Sequence, residues 1–570
     1  MKRIVALVLL LMGVAHADGE SRRRAVGKPA SGGTLAVANY IDTHIGAKLT
    51  AAGIVPAAIA KDEEFLRRVT VDLTGTIPSA PDAEAFFADT RTDKRARKID
   101  ELLQSSAFVD RWTMWYGDLV QNVQASDAVR QYYLGRNAHY LWIKESIRTG
   151  KPYDAMVRED LAGEGDHFTS GVANYIVRQI QRNGPQQDSY DNLAAHSAEK
   201  FLGIPMLCIS CHSGPGHLEL VNIYLRGKTR EDFWKMAAFF SRTGFRGSRY
   251  TDPANPNANV IRYTIDTIAN GTYRLNTTDG NKSPRVPAEG QPNTVTPAFL
   301  TTGEQPKPGE PYRVAYGRML TADRQFARAT VNYLWKEMFG IGLVEPVNAF
   351  DLARLSVQPS HPALLEALTD DFIANGYDLR ALLRTIATSN TYQLSAAYGG
   401  PHPDPTYFAR RAPRRLSAEA LLDAIIAATA VPAQFPVQGL SAVTKAMQLP
   451  DPLEARRTPA SRFLDSFGRG NRDDVARTND SAISQALAML NDPIVTMRVR
   501  RANNSTVSKV LAATSDPGAI ADQLYLHTLS RRPTAAERQI AVDYLSAGFL
   551  AERAEDLQFV LINSLEFLFV

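Results

Sequence analysis

The chain is 570 residues long, with 64 Lys and Arg against 60 Asp and Glu and a formal net charge of +4. That length implies two to four domains, and 44% hydrophobic with 22% charged residues is an ordinary globular composition able to bury large cores. The near-neutral balance gives no reason to expect nucleic acid as a partner, and a total of two cysteines leaves out a disulfide framework.

Met1-Lys2-Arg3 is a short basic start, Ile4 to Val14 an apolar run and Ala15-His16-Ala17 an A-x-A cleavage pattern. Together they predict a signal peptide over 1–17, too short and wrongly flanked for a membrane span. The chain is therefore expected to be exported, to a periplasmic or cell-envelope location. Residues 18–35, with Ser21-Arg22-Arg23-Arg24 and Ser31-Gly32-Gly33, lack apolar periodicity and are expected to form a flexible leader.

Helical patterning then governs 36–240, expected as a first helical domain. Asp62-Glu63-Glu64 places acids at the start of an amphipathic helix. Ser79 is the expected N-cap of the helix carrying Phe86 and Phe87, and a further helix is expected from Lys94 to Leu103. Trp112, Trp115 and Tyr116 recur at helical spacing and are expected in a core. A helix is expected from Asp191 to Leu202, ended by Gly203 and Pro205. Immediately after it comes Cys208-Ile209-Ser210-Cys211-His212, which holds both cysteines of the chain. Ser213-Gly214-Pro215-Gly216-His217 reads as a turn, and Glu231 to Phe240 as helix again.

Over 241–318 turn signals such as Asp252-Pro253-Ala254-Asn255 flank β-branched runs such as Val260-Ile261-Arg262-Tyr263-Thr264-Ile265, and this stretch is expected to be a small β- and loop-rich insert. A second helical domain is expected over 319–570. Gly340 closes one helix, His361-Pro362 opens another with proline at its first position, Ser417 caps a third, and Thr534 with Glu537 forms a capping box. Arg410, Arg411, Arg414 and Arg415 read as a solvated helix start. The apolar run Phe559 to Val570 reads as a buried terminal helix. The fold class expected is mainly α, two helical domains with the small insert between them, and no segment has the apolar length of a transmembrane span.

C-x-x-C-H is the attachment signature of c-type haem. Cys208 and Cys211 would add across the vinyl groups, with His212 as proximal iron ligand. Met206, His217, Met236 and His196 are the candidates for the sixth position. His196, on the helix running up to the motif, is the first of them, because Met206 and His217 would need a sharp chain reversal. A zinc site, a redox pair or a disulfide in a non-haem binding or scaffold protein is the alternative reading of the same thiols. No G-x-S-x-G, H-E-x-x-H or P-loop occurs, so no catalytic residue is assigned.

Four blocks of the chain are similar to a pair of bacterial families. The first is Phe65-Leu66-Arg67-Arg68-Val69-Thr70-Val71-Asp72-Leu73-Thr74-Gly75-Thr76-Ile77-Pro78. The second is Phe201-Leu202-Gly203-Ile204-Pro205 leading into the C-x-x-C-H motif. The third runs from Phe326-Ala327-Arg328 through Trp335 to Glu345-Pro346, and the fourth joins Leu529-Ser530-Arg531-Arg532-Pro533-Thr534 to Asn563-Ser564-Leu565-Glu566-Phe567-Leu568. The pair these blocks resemble are the domains of unknown function numbered 1549 and 1553, some labelled planctomycete cytochrome domains. The resemblance implies export, two coupled helical domains and the C-x-x-C-H site in the first of them. Many relatives continue the motif as C-x-x-C-H-x-H-P, whereas here the next histidine is His217. The expected function is that of an exported c-type cytochrome-like protein with one covalent haem c, serving electron transfer with a redox or scaffold protein partner.

Overall fold

A computed structural model describes residues 35–124, 131–279, 282–454, 458–473, 475–478, 480–501 and 504–570. The expected signal peptide, and all of the expected leader but its last residue, lie outside them. The chain is mainly α, 52% helical with only small sheets. Among the described residues no helix is long and apolar enough to cross a membrane. The fold divides into two compact units, one of Met1–Trp112, Arg384–Val437 and Ser441–Val570, the other of Thr113–Leu383 and Gln438–Leu440.

The first unit is organised on the helix Asp62–Thr74. Its three leading acids complement the positive end of the helix, and it stops at Gly75, whose φ of 71° only glycine adopts without strain. From Phe65 to Thr74 every side chain is buried, charged ones included. Arg67 donates to the carbonyls of Thr528 (3.1 Å) and Phe567 (2.9 Å). Arg68 donates to the carbonyls of Tyr392 and Leu394, both at 2.9 Å, and pairs with Glu64. Asp72 accepts from the Tyr392 hydroxyl at 2.8 Å, from Arg411 at 3.1 Å and from Arg414. The run Arg410–Arg415 is thus no solvated helix start: Arg411 and Arg415 are 2% and 5% exposed. One further expectation needs correction. The terminal run is not one helix but Leu550–Ile562, a break at Asn563 and the single turn Leu565–Leu568, which the Ser564 hydroxyl caps. The last residues then pair with 414–416, Arg414 and Val570 exchanging backbone hydrogen bonds of 2.9 and 3.0 Å.

In the second unit, the helix Gln186–Leu202 starts five residues earlier than its apolar pattern suggests and ends at Gly203 in the left-handed conformation. Gln325, at the start of the helix Arg324–Phe339, donates to the Leu202 carbonyl at 2.8 Å, satisfying an end the helix leaves open. Asn332 holds Val344 through both backbone groups, each bond 2.9 Å. Strands β1 (Gly165–Asp166), β2 (Thr243–Asp252) and β3 (Asn255–Thr267) form an antiparallel sheet in the order β1-β3-β2. The β2–β3 turn is set by Asp252, whose carboxylate accepts from the Ala254 amide at 2.9 Å.

Two predictions follow from the buried acids of the first unit. Burial pushes the Asp72 carboxyl up, but the charges of Arg414 and Arg411 and the Tyr392 hydroxyl outweigh it and hold it below the ordinary carboxylate range. Asp72→Ala leaves these guanidiniums buried without their anion, an expected loss of about 3–5 kcal/mol in urea unfolding. Because the folded-state pKa is depressed, the wild-type contribution is full above about pH 4 and fades only in stronger acid. Asp423 behaves in the opposite sense. Burial pushes it up to about 7 against the pull of the Met447 and Ala446 amides. A raised acid stabilises the fold while protonated, so wild-type stability should fall between about pH 4 and pH 7, and Asp423→Asn should flatten that slope in unfolding curves taken across this range.

Candidate functional site

The C-x-x-C-H motif lies wholly in the second unit. Gly203 admits no side chain, since a Cβ there would stand 2.7 Å from the Phe350 ring. The Gly203 carbonyl receives the Phe350 amide at 2.8 Å, so the chain leaves the helix Gln186–Leu202 in one direction. The Pro205, Met206 and Leu207 carbonyls then accept the amides of Cys208, Ile209 and Ser210, starting the single turn Cys208–Cys211. Met206 and Ile209 are fully buried and Ser210 is 7% exposed, while both thiols, Leu207 and His212 face water. Residues three apart share a helix face, so the spacing that puts Ile209 inward leaves both cysteines outward. The thiols are free, exposed and not close together.

The turn is clamped from two sides. Arg230, which begins the helix Arg230–Ala238, lies over the Trp234 ring at 4.8 Å. Its guanidinium donates to the carbonyls of Ser210 (3.1 Å), Pro284 (2.8 Å) and Ser283 (3.4 Å). The Ser283 segment is itself fixed by Arg285, buried against Asp188 and Asp191 at 2.5 and 2.6 Å. Hydrogen bonding from Ser283 and then Ser210, aided by the charges of Lys282 and Arg230, draws the Cys211 thiol below its usual range.

Beyond the motif the chain reverses. Ser213 accepts the Arg230 amide at 3.3 Å and Gly214 donates to Lys228 at 2.8 Å. Gly216 takes a φ of 91°, and its amide meets Glu219 at 2.5 Å. The reversal brings the His217 ring to 5.8 Å from the His212 ring, centroid to centroid, at an interplanar angle of 76°. Downstream, Asn222 caps the turn Ile223–Arg226 and donates to Phe350, and Asp351 accepts the amides of Ile223 and Tyr224 at 2.8 and 3.0 Å. This well-anchored loop nevertheless turns apolar side chains to water: Leu220 is 99% exposed, Val221 71% and Ile223 38%.

The other predicted ligands are engaged or buried. His196 accepts or donates at both ring nitrogens, to the Tyr175 hydroxyl at 3.1 Å and the Gln121 side chain at 3.2 Å. Burial, then the charges of Lys200 and Arg178, push its pKa well below the ordinary imidazole value. Met206 and Met236 are fully buried, and the Met236 sulfur accepts the Leu300 amide. The structure therefore joins Cys208, Cys211 and His212 to His217 and gives His196 other partners. Among the described residues no three His, Cys, Asp or Glu side chains are gathered as a metal cluster. Arg230, Ser283 and the Leu220–Val221 pair escaped sequence reasoning. The adjacent apolar pair inside a Gly- and His-rich loop was the available signal.

Residues 40–244 match the family described as protein of unknown function DUF1549, labelled PSCyt2. Residues 313–545 match the one described as protein of unknown function DUF1553, labelled PSD1. No curated protein matches the chain, and no solved structure does.

The clamp yields a prediction of its own. A Cβ on Gly214 would fall inside contact distance of the Leu225 carbonyl oxygen and 2.7 Å from the Arg226 Cα, all backbone. Gly214→Ala should cost about 1–3 kcal/mol by overpacking, and hydrogen exchange should read it as faster exchange at the amides of Gly214 and Leu218.

Proposed function

Because the chain belongs to the paired families DUF1549 and DUF1553, we propose that it is an exported c-type cytochrome-like protein carrying one covalent haem on the turn Cys208–Cys211. The carrying observation is the pair of exposed thiols on one face of a single turn, followed at once by an exposed imidazole, with Leu207 exposed beside Cys208. Covering a Leu or Val side chain is worth about 1.5–3 kcal/mol relative to leaving it in water. Leu207 before the motif and Leu220, Val221 and Ile223 after it leave apolar surface in water that a flat apolar macrocycle would cover.

When bound, the group supplies a one-electron iron couple. Cys208 and Cys211 would hold it through their sulfurs as thioethers, and His212 would supply an imidazole nitrogen to the iron. The apolar surface excludes water and so sets the dielectric around the iron, one of the protein's means of tuning potential. Arg230 and Lys282 hold positive charge beside the turn, suited to carboxylates of the group or of an acidic partner. Export to the periplasm or cell envelope is supported by the signal-peptide pattern of residues 1–17, and electron exchange with a redox or scaffold partner is the role that follows.

The full precursor, expressed in a host with haem-ligation machinery, should gain the mass of one haem and give the pyridine haemochrome spectrum of two thioether links. Cys208→Ser with Cys211→Ser should lose both signals while circular dichroism stays unchanged, because both side chains are exposed. A correctly processed wild-type protein without Soret absorbance, or one holding stoichiometric zinc under haem supply, would overturn the reading.

A further inference from the structure

Resting on that haem reading, we propose that His217, rather than His196, is the second axial ligand of the iron. The reversal through Ser213–Gly216 makes it the histidine beside His212, and both imidazoles are exposed. Metal–imidazole bonds of about 2 Å put the centroids of two rings on opposite sides of one metal roughly 6 Å apart. The observed separation is 5.8 Å, and the interplanar angle of 76° is that of two nearly perpendicular rings.

The chain between them has the reach. Five residues span at most about 17 Å, enough to pass around the edge of a macrocycle. The point of greatest turn is also the least packed: at Gly216 a Cβ would meet nothing within 4 Å. Gly214 stays on Lys228, while the bonds of His217 and Leu218 to the Gly214 carbonyl and of Gly216 to Glu219 open with the turn. A haem slides between the rings by rotation of two exposed side chains and movement of the Pro215–His217 segment, while the buried peg Leu218, 4% exposed, holds its place.

The competitors are already engaged. His196 would have to give up Tyr175 and Gln121 and leave its site among Tyr175 and Phe201. Met206 and Met236 would have to leave a core in which they are fully buried. His217 gives up an edge-to-face ring contact, its amide hydrogen bond to Gly214 at 3.3 Å and its place beside Glu219, all at the exposed tip of the loop.

The test uses the holoprotein made from the full chain. Ferric wild type should be low-spin by electron paramagnetic resonance and absorption, and its ferrous form should bind carbon monoxide poorly. His217→Ala should lose the low-spin signal, gain carbon monoxide binding and recover low spin on adding imidazole; His196→Ala should keep the wild-type spectrum. Covalently attached haem whose low-spin signal survives His217→Ala, or a wild type that is already high-spin, would refute the assignment and leave the haem reading standing. Absence of covalent haem from the wild type would overturn the haem reading itself.

Discussion

A charge taken out of water must find its counter-charge and hydrogen bonds, or the fold that buries it does not form. Each unit is organised around one answer to that demand. In the first, the helix Asp62–Thr74, buried from Phe65 onward, carries Arg67, Arg68 and Asp72 into the interior, and their partners come from 392–394, 411–414, 528 and 567. Segments hundreds of residues apart are thereby fixed to a single helix. In the second, Asp188 and Asp191 stand near the start of the helix Gln186–Leu202 and are answered by Arg285, with the Tyr273 hydroxyl completing Asp191 at 2.7 Å.

The consequence reaches the surface. Arg285 cannot take its buried place without carrying Ser283 and Pro284 with it. Those two residues receive Arg230, and Arg230 holds the Ser210 carbonyl inside the motif. An interior ion cluster thus sets the position of a turn whose own cysteines are exposed. The turn is short, and isolated short helices are marginal in water, so its geometry depends on this outside clamp and on the inward packing of Met206 and Ile209.

What the sequence made legible is what local chemistry decides. Ser79, Ser417 and the Thr534–Glu537 box cap their helices as their spacing indicates. Gly203 and Gly340 end theirs in the left-handed conformation, and Pro362 opens its helix. The mainly α class and the matched families were also legible, the first from periodicity and the second from motif blocks. What was not legible depended on partners distant in the chain. The burial of Arg411 needs Asp72, 339 positions away. Engagement of His196 needs Gln121, 75 positions away. The break at Asn563 comes with the cap of Ser564 and the pairing of residues 568–570 with 414–416. The nearness of His217 to His212 depends on the handedness of one glycine, and a reading by sequence distance had counted against it.

The same three side chains would serve two kinds of chemistry, and those make opposite demands. A tetrahedral zinc site needs its donors aimed at one point, each about 2.0–2.3 Å from the metal. A thioether-linked macrocycle needs the thiols spread along its edge, with only the imidazole directed at the iron. Cys208 and Cys211 are exposed and not close together, on a turn whose geometry is fixed from both sides. In the proposed haem form the thiols keep their places on that turn, and only the imidazole is directed at the iron.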